Sequence, residues 1–333
     1  MMRCTLALGL LAAVLLVGAR DASAEAKTPC DVLADESADE FWWGDFDALE
    51  RKYARVRTAT ERDAQGNASV TCFRRGLRRV FQNNDYNQAY YEQLQAMTAG
   101  WARAHPQSAL AQLLHTRVLL ARGLALRGLA YDADTPAASK REFLRYLALA
   151  EQQLVTHADV VKGESSADVY LMMLGRWEGW PLSRMRLLVD DGLAKNASDD
   201  ALWEEMVLAS QPKWGGNAAE IDRVARDAAK STPDQGLGAY AMLYDAIADS
   251  YDARFFKDTR ADWPTLRQGY RDRLAAYPDD WVLNRFARMA CLAEDKPTTQ
   301  ALIAQIGSKP RPDAWGSNAG SRLDACRTWA RAP

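Results

Sequence analysis

Apolar residues along this chain recur at steps of three and four, and nowhere do they alternate long enough to make a strand. Phe46, Leu49, Tyr53 and Val56 step by three, four and three, which lays one apolar stripe along a helix. Tyr90, Leu94, Met97 and Trp101 repeat the pattern, and Leu266, Tyr270, Leu274 and Tyr277 do so again. Isoleucine stands only at Ile221, Ile247, Ile303 and Ile306, while Ala, Leu, Arg, Glu and Gln are abundant; that balance favours helix over sheet.

The residues between these stripes read as stops and starts. Ser108, Ser139, Ser198 and Asn217 are expected as N-caps, each offering a side-chain oxygen to the free N–H groups of a first turn. Pro264 suits a first helical position, and Pro106, Pro278 and Pro297 are expected at breaks between helices. The spacing predicts roughly twelve to fourteen helices with short connections. A helix opening recurs loosely at His105–Leu110, Tyr277–Val282 and Ala197–Trp203, in the manner of tetratricopeptide-like helix pairs. The period is irregular. The expected fold class is therefore all-α, an irregular tetratricopeptide-like helical-repeat array (α-solenoid) over residues 41–333, preceded by an N-terminal tail at 25–40 tied down by Cys30. Residues 308–320 read as a loop.

The first residues carry a different signal. Arg3 precedes an apolar run from Leu6 to Val17, and Ala22-Ser23-Ala24 follows as a small-residue cleavage site. The run is too short for a spanning helix, which needs about 20 residues, so residues 1–24 are expected to be a signal peptide cleaved before Glu25. Localisation is then periplasmic or secreted, with no membrane insertion after cleavage. In such a compartment the remaining cysteines read as two disulfides, and their placement near each end favours Cys30–Cys72 and Cys291–Cys326 over the crossed arrangements.

Several function classes find no support in the sequence. The 42 basic and 44 acidic residues nearly balance, and no basic block dominates a segment, which argues against nucleic acid as partner. The densest cluster, Arg74-Arg75 with Arg78-Arg79, reads as a solvated helix face. His105, His115 and His157 form no metal-binding spacing, and hydrolase-elbow, phosphate-loop and dinucleotide-glycine patterns are missing, so no cofactor, metal or catalytic residue is assigned. The doublets Asp199-Asp200, Glu204-Glu205 and Asp279-Asp280 are expected at helix starts, where carboxylates meet the positive end of the macrodipole.

From about residue 41 to 330 the chain resembles the bacterial domain-of-unknown-function family 4034. The likeness rests on Phe46-Asp47-Ala48-Leu49-Glu50 and on Trp101 with Pro106, Ser108 and Ala109, leading on to Arg122-Gly123 and Arg127-Gly128. It rests also on Lys213-Trp214-Gly215-Gly216 after Pro212, and on Trp281, Asn284, Phe286, Ala287, Ala290 and Cys291. The resemblance implies a helical, tetratricopeptide-like fold and no activity.

Two local sequences stand out as candidate binding sites. Pro212 to Asn217 combines Lys213 and Trp214 with two glycines that permit a positive-φ turn. Arg176 to Pro181 sets Trp177 and Trp180 around Glu178 at a break between helices, a composition suited to a groove. For both, packing at an inter-helix corner is the expected role, with ligand contact as the alternative. The expected function is an exported helical-repeat protein that binds another protein or peptide in a concave groove. The alternative is a periplasmic enzyme acting on envelope polysaccharide, with Glu178 or Glu205 as its acid. Such an enzyme needs two carboxylates about 5–9 Å apart in one cleft.

Overall fold

The computed structural model describes residues 27–81, 86–128, 132–308, 310–316 and 318–332. The signal peptide expected at 1–24 lies outside the described residues. No strand occurs among the described residues beyond an isolated bridge between Arg62 and Ala68, so the chain is an all-α helical-repeat array.

The helices follow one another with short connections. They are α1 (Pro29–Trp43), α2 (Phe46–Val56), α3 (Ser69–Phe81), α4 (Gln88–Ala104), α5 (Ala109–Arg127) and α6 (Ala137–Thr156). Then come the single turn α7 (Ala158–Val161), α8 (Ser165–Glu178), α9 (Leu182–Lys195), α10 (Asp200–Ala209), α11 (Ala218–Ser231) and α12 (Gly238–Tyr251). The chain finishes with the single turn α13 (Phe255–Asp258), α14 (Trp263–Ala276), α15 (Asp280–Leu292), α16 (Lys296–Ile306) and α17 (Ala319–Arg331). Each packs on the next one or two, as in α5 on α6, α8 on α9 and α15 on α16. That near-neighbour packing is what a repeat array requires.

The stripes expected from sequence face this core. Leu49, Tyr53 and Val56 of α2 are buried, as are Leu94 and Trp101 of α4 and Leu266 and Tyr270 of α14. Aromatic pairs join neighbouring helices: Phe46 stacks on Trp101 at 4.2 Å, and Tyr270 on Phe286 at 5.0 Å. Ser108 and Asn217 cap α5 and α11 as expected. Ser139 and Ser198 do not cap. Helix α6 already begins at Ala137, and Asp199 takes the cap of α10 because its carboxylate accepts from the Ala201 N–H.

Both ends are fastened covalently. Cys30–Cys72 ties α1 to α3 and Cys291–Cys326 ties α15 to α17, with Cα atoms 5.1 and 5.9 Å apart. Most of the stretch expected as a tail is therefore helix: Thr28 and Asp31 form a capping box, Pro29 opens the first turn, and Ala34 and Phe41 are buried. The loop expected at 308–320 contains a 3-10 turn, Pro312–Trp315. It places Trp315 fully inside, with its indole N–H donating to Asn284 at 2.9 Å.

Two buried polar networks hold distant parts together. Arg74 of α3 pairs with Asp199, which also accepts from the Ser165 hydroxyl at 2.6 Å. Beside it Tyr53 donates to Glu164 at 2.8 Å, and Arg57 pairs with the same carboxylate. Near the C-terminus Arg285, 2% exposed, pairs with Asp245 at 2.7 Å while Tyr270 donates to the same oxygen. Charges this deep persist only when paired and hydrogen-bonded.

Candidate functional site

The two sequence motifs meet at one corner. Trp177 ends α8, and Trp214 lies in the 3-10 turn Pro212–Trp214 between α10 and α11. Their rings touch edge to face with centroids 4.5 Å apart, and Phe143 of α6 meets Trp177 at 4.9 Å. Arg127 lies over Trp177 at 4.7 Å, and Arg176 over Trp214 at 5.1 Å while pairing with Glu205 at 3.0 Å. Lys213 is exposed beside this cluster, and partial desolvation of its ammonium, with the Arg176 charge nearby, pushes its pKa down. Glu178 and Trp180 close a local contact of their own: the Trp180 N–H donates to Glu178 at 2.9 Å, under the guanidinium of Arg184.

The turn follows from its residues. Gly215 has φ +88, in the left-handed region, and a Cβ on Gly216 would run into the Ser210 carbonyl. Asn217 then accepts from the N–H groups of Ala219 and Glu220 and starts α11. This corner is a packed joint between helices.

A second site was not legible in the sequence. The Arg57–Ala68 connection, between α2 and α3, crosses to the second half of the array. Asn196 donates to the Arg57 carbonyl at 2.9 Å and Ser198 to the Thr60 carbonyl at 2.7 Å. Arg62 grips Asp200 with two bonds of 2.6 and 2.7 Å, and Arg273 of α14 donates to the Gln65 carbonyl at 2.8 Å. Under this strap lies a cavity of about 690 Å³, walled by α3 on one side and by α10, α12, α14 and the start of α15 on the other.

Its lining mixes apolar and polar groups, and several of the polar ones are unsatisfied. Gln65 Oε1, Thr71 Oγ1, Trp203 Nε1, Asp245 Oδ2 and Arg273 Nε are all buried, have no hydrogen-bond partner among the described residues, and belong to residues that line the cavity. Trp203, Asp245 and Arg273 are each more than nine-tenths buried. An unmet buried polar group costs about 1–3 kcal/mol, so a cluster of them marks a place where donors and acceptors from elsewhere are worth much. The set holds both donors and acceptors and asks for both in return.

Glu204 adds a carboxylate that meets solvent in this concavity while protein surrounds it. That desolvation, with Asp200 alongside, lifts its pKa to about 7 against the pull of Arg74 and Arg78. The doublet Glu204-Glu205 lies in the second turn of α10 and not at its start, because the helix begins at Asp200. Among the described residues Cys30, Asp63 and Cys72 bring three potential metal-ligand atoms together, but both sulfurs are spent in the disulfide.

The arginine cluster read as a solvated face is one only in part: Arg78 and Arg79 are exposed, while Arg74 and Arg75 are half-buried. Arg74 is drawn into the buried pair with Asp199, and Arg75, Arg78 and Arg79 line the cavity. One signal was available: Arg74 stands four residues after Val70 and three before Leu77, inside the apolar stripe of α3. A guanidinium there must find a buried carboxylate. Glu178 and Glu205 do not line the cavity. Compared with known protein families, with curated proteins and with solved structures, the chain matches none, so the roles of these residues rest on its own geometry.

Proposed function

We propose that this is an exported helical-repeat protein that binds a peptide segment of another protein in the cavity between α3 and α10–α15. The observation that carries this reading is the set of unmet donors and acceptors on residues around the cavity, from the strap and α3 to α10, α12 and α14. An extended peptide presents N–H and C=O groups in alternation, which is the complement this lining calls for. Export is supported by the apolar leader with its small-residue cleavage site and by the two disulfides. Among the described residues no helix is long and apolar enough to cross a membrane. Affiliation with family 4034 is part of the same proposal, supported by the Pro212–Gly216 run.

A polysaccharide-cleaving enzyme fits less well. Its expected acids, Glu178 and Glu205, are held by Trp180 and Arg176 outside the cavity. Selection of a random displayed-peptide library against the oxidised mature chain tests the proposal. Enriched peptides should slow amide exchange in the Arg57–Ala68 strap and in α10. Enrichment of none, or protection confined to other surfaces, overturns it.

A further inference from the structure

The charges along the cavity differ in how far they are committed. Arg62 is spent on Asp200, Arg79 on Asp35 and Asp31, and Arg75 lies 3.9 Å from Asp31. On the acidic side Asp245 is held by Arg285, and Asp279 caps α15 by accepting from the Val282 N–H. Two cations remain. Arg78 makes no ion pair or hydrogen bond among the described residues, and it is exposed toward the cavity it lines. Arg273 is 92% buried by its 8% exposure, forms no ion pair among the described residues, and keeps its Nε unmet. The one uncommitted carboxylate is Glu204, whose raised proton affinity weakens its claim on either arginine near neutral pH. The cavity therefore has positive charge to offer.

We infer that the cavity selects acidic peptides: Arg78 receives a carboxylate of a bound Asp or Glu side chain, and Arg273 Nε donates to a second acceptor of the same segment. This rests on the peptide-binding reading above. A guanidinium fits a carboxylate through two parallel N–H bonds, which a neutral amide side chain cannot match in charge. An acidic sugar offers carboxylates too, but the indoles here give it little to stack on. Trp203 is 5% exposed with Arg186 over its ring, and Arg285 lies over Trp281.

Titration calorimetry on the oxidised mature chain, residues 25–333, tests this with defined probes. These are the N-acetylated, C-amidated peptide Ala-Glu-Ala-Glu-Ala, its Gln and Lys counterparts, and tetragalacturonate. The Glu peptide should bind about tenfold or more tightly than the Gln peptide, and the Lys peptide more weakly still. Arg78→Gln should remove most of that preference and Arg78→Lys should restore part of it, with circular dichroism unchanged because Arg78 supports no fold contact. Equal binding of the Glu and Gln peptides overturns the carboxylate selection and leaves the peptide reading standing. Binding of tetragalacturonate with none of the peptides overturns both, and so does binding of nothing.

Discussion

Arg273 donates through Nη2 to the carbonyl of Gln65, a residue 208 positions earlier, and so fastens the α2–α3 strap to α14. The next residue makes this contact feasible. Gly66 has φ +77, and a Cβ there would overlap the guanidinium. Together with the Arg62–Asp200 and Arg74–Asp199 pairs, this contact closes the array across its inner face.

Gly66→Ala should accordingly cost about 1–3 kcal/mol, from the unfavourable φ and the displaced arginine. The effect should be local. Amide exchange in residues 62–67 should quicken far more than in α5, and equal acceleration throughout would show that the strap is not a separate unit.

Breaking the buried pair should be more severe. Arg74→Met leaves Asp199 fully buried without its cation, at a cost of about 3–5 kcal/mol. Urea unfolding beside wild type measures this, and a loss under 1 kcal/mol, as for a surface pair, would contradict the burial described here.

Glu204 sets a pH dependence whose sign is fixed by its raised pKa. A carboxyl that holds its proton more tightly when folded stabilises the native state below its ordinary value near 4.5, and that contribution is lost as pH rises to about 7. Glu204→Gln should therefore gain stability over wild type at pH 8 and show little difference at pH 4. Parallel melting curves for the two proteins from pH 4 to 8 would rule the shift out.

Trp214→Ala tests the corner. The ring is half-buried against Trp177, so the cost should be about 2–3 kcal/mol, below the range for a fully enclosed tryptophan. An unchanged unfolding midpoint would free Trp214 from its packing role and make it a ligand contact instead.

Removing a disulfide should weaken its own end of the array. Cys291→Ser with Cys326→Ser opens a loop with 35 residues of separation, worth up to about 4 kcal/mol on a chain-entropy basis. Proteolysis should then cut first around α16 and α17. First cuts near α1 would assign the stability differently.

Much of the architecture was legible because it is local. Steps of three and four, the caps at Ser108 and Asn217, and cysteines placed near each end all act over a few turns or a few dozen residues. They determined the helical class by themselves and favoured the cysteine pairing that the fold contains. Even the Pro212–Asn217 turn follows from its own residues, since the geometry at Gly215 and the cap at Asn217 need no distant partner.

What the sequence could not decide was which helices face each other across the array. The place of Arg74 in the apolar stripe of α3 calls for a buried carboxylate, but nothing in the sequence named Asp199 as that partner. Only the tertiary fold, by bringing α3 against α10 and the strap against α14, turned Arg78, Glu204 and Arg273 into the walls of one cavity. The physical reason is that desolvation and charge pairing depend on distance in space, while periodicity records only which side of its own helix a residue occupies.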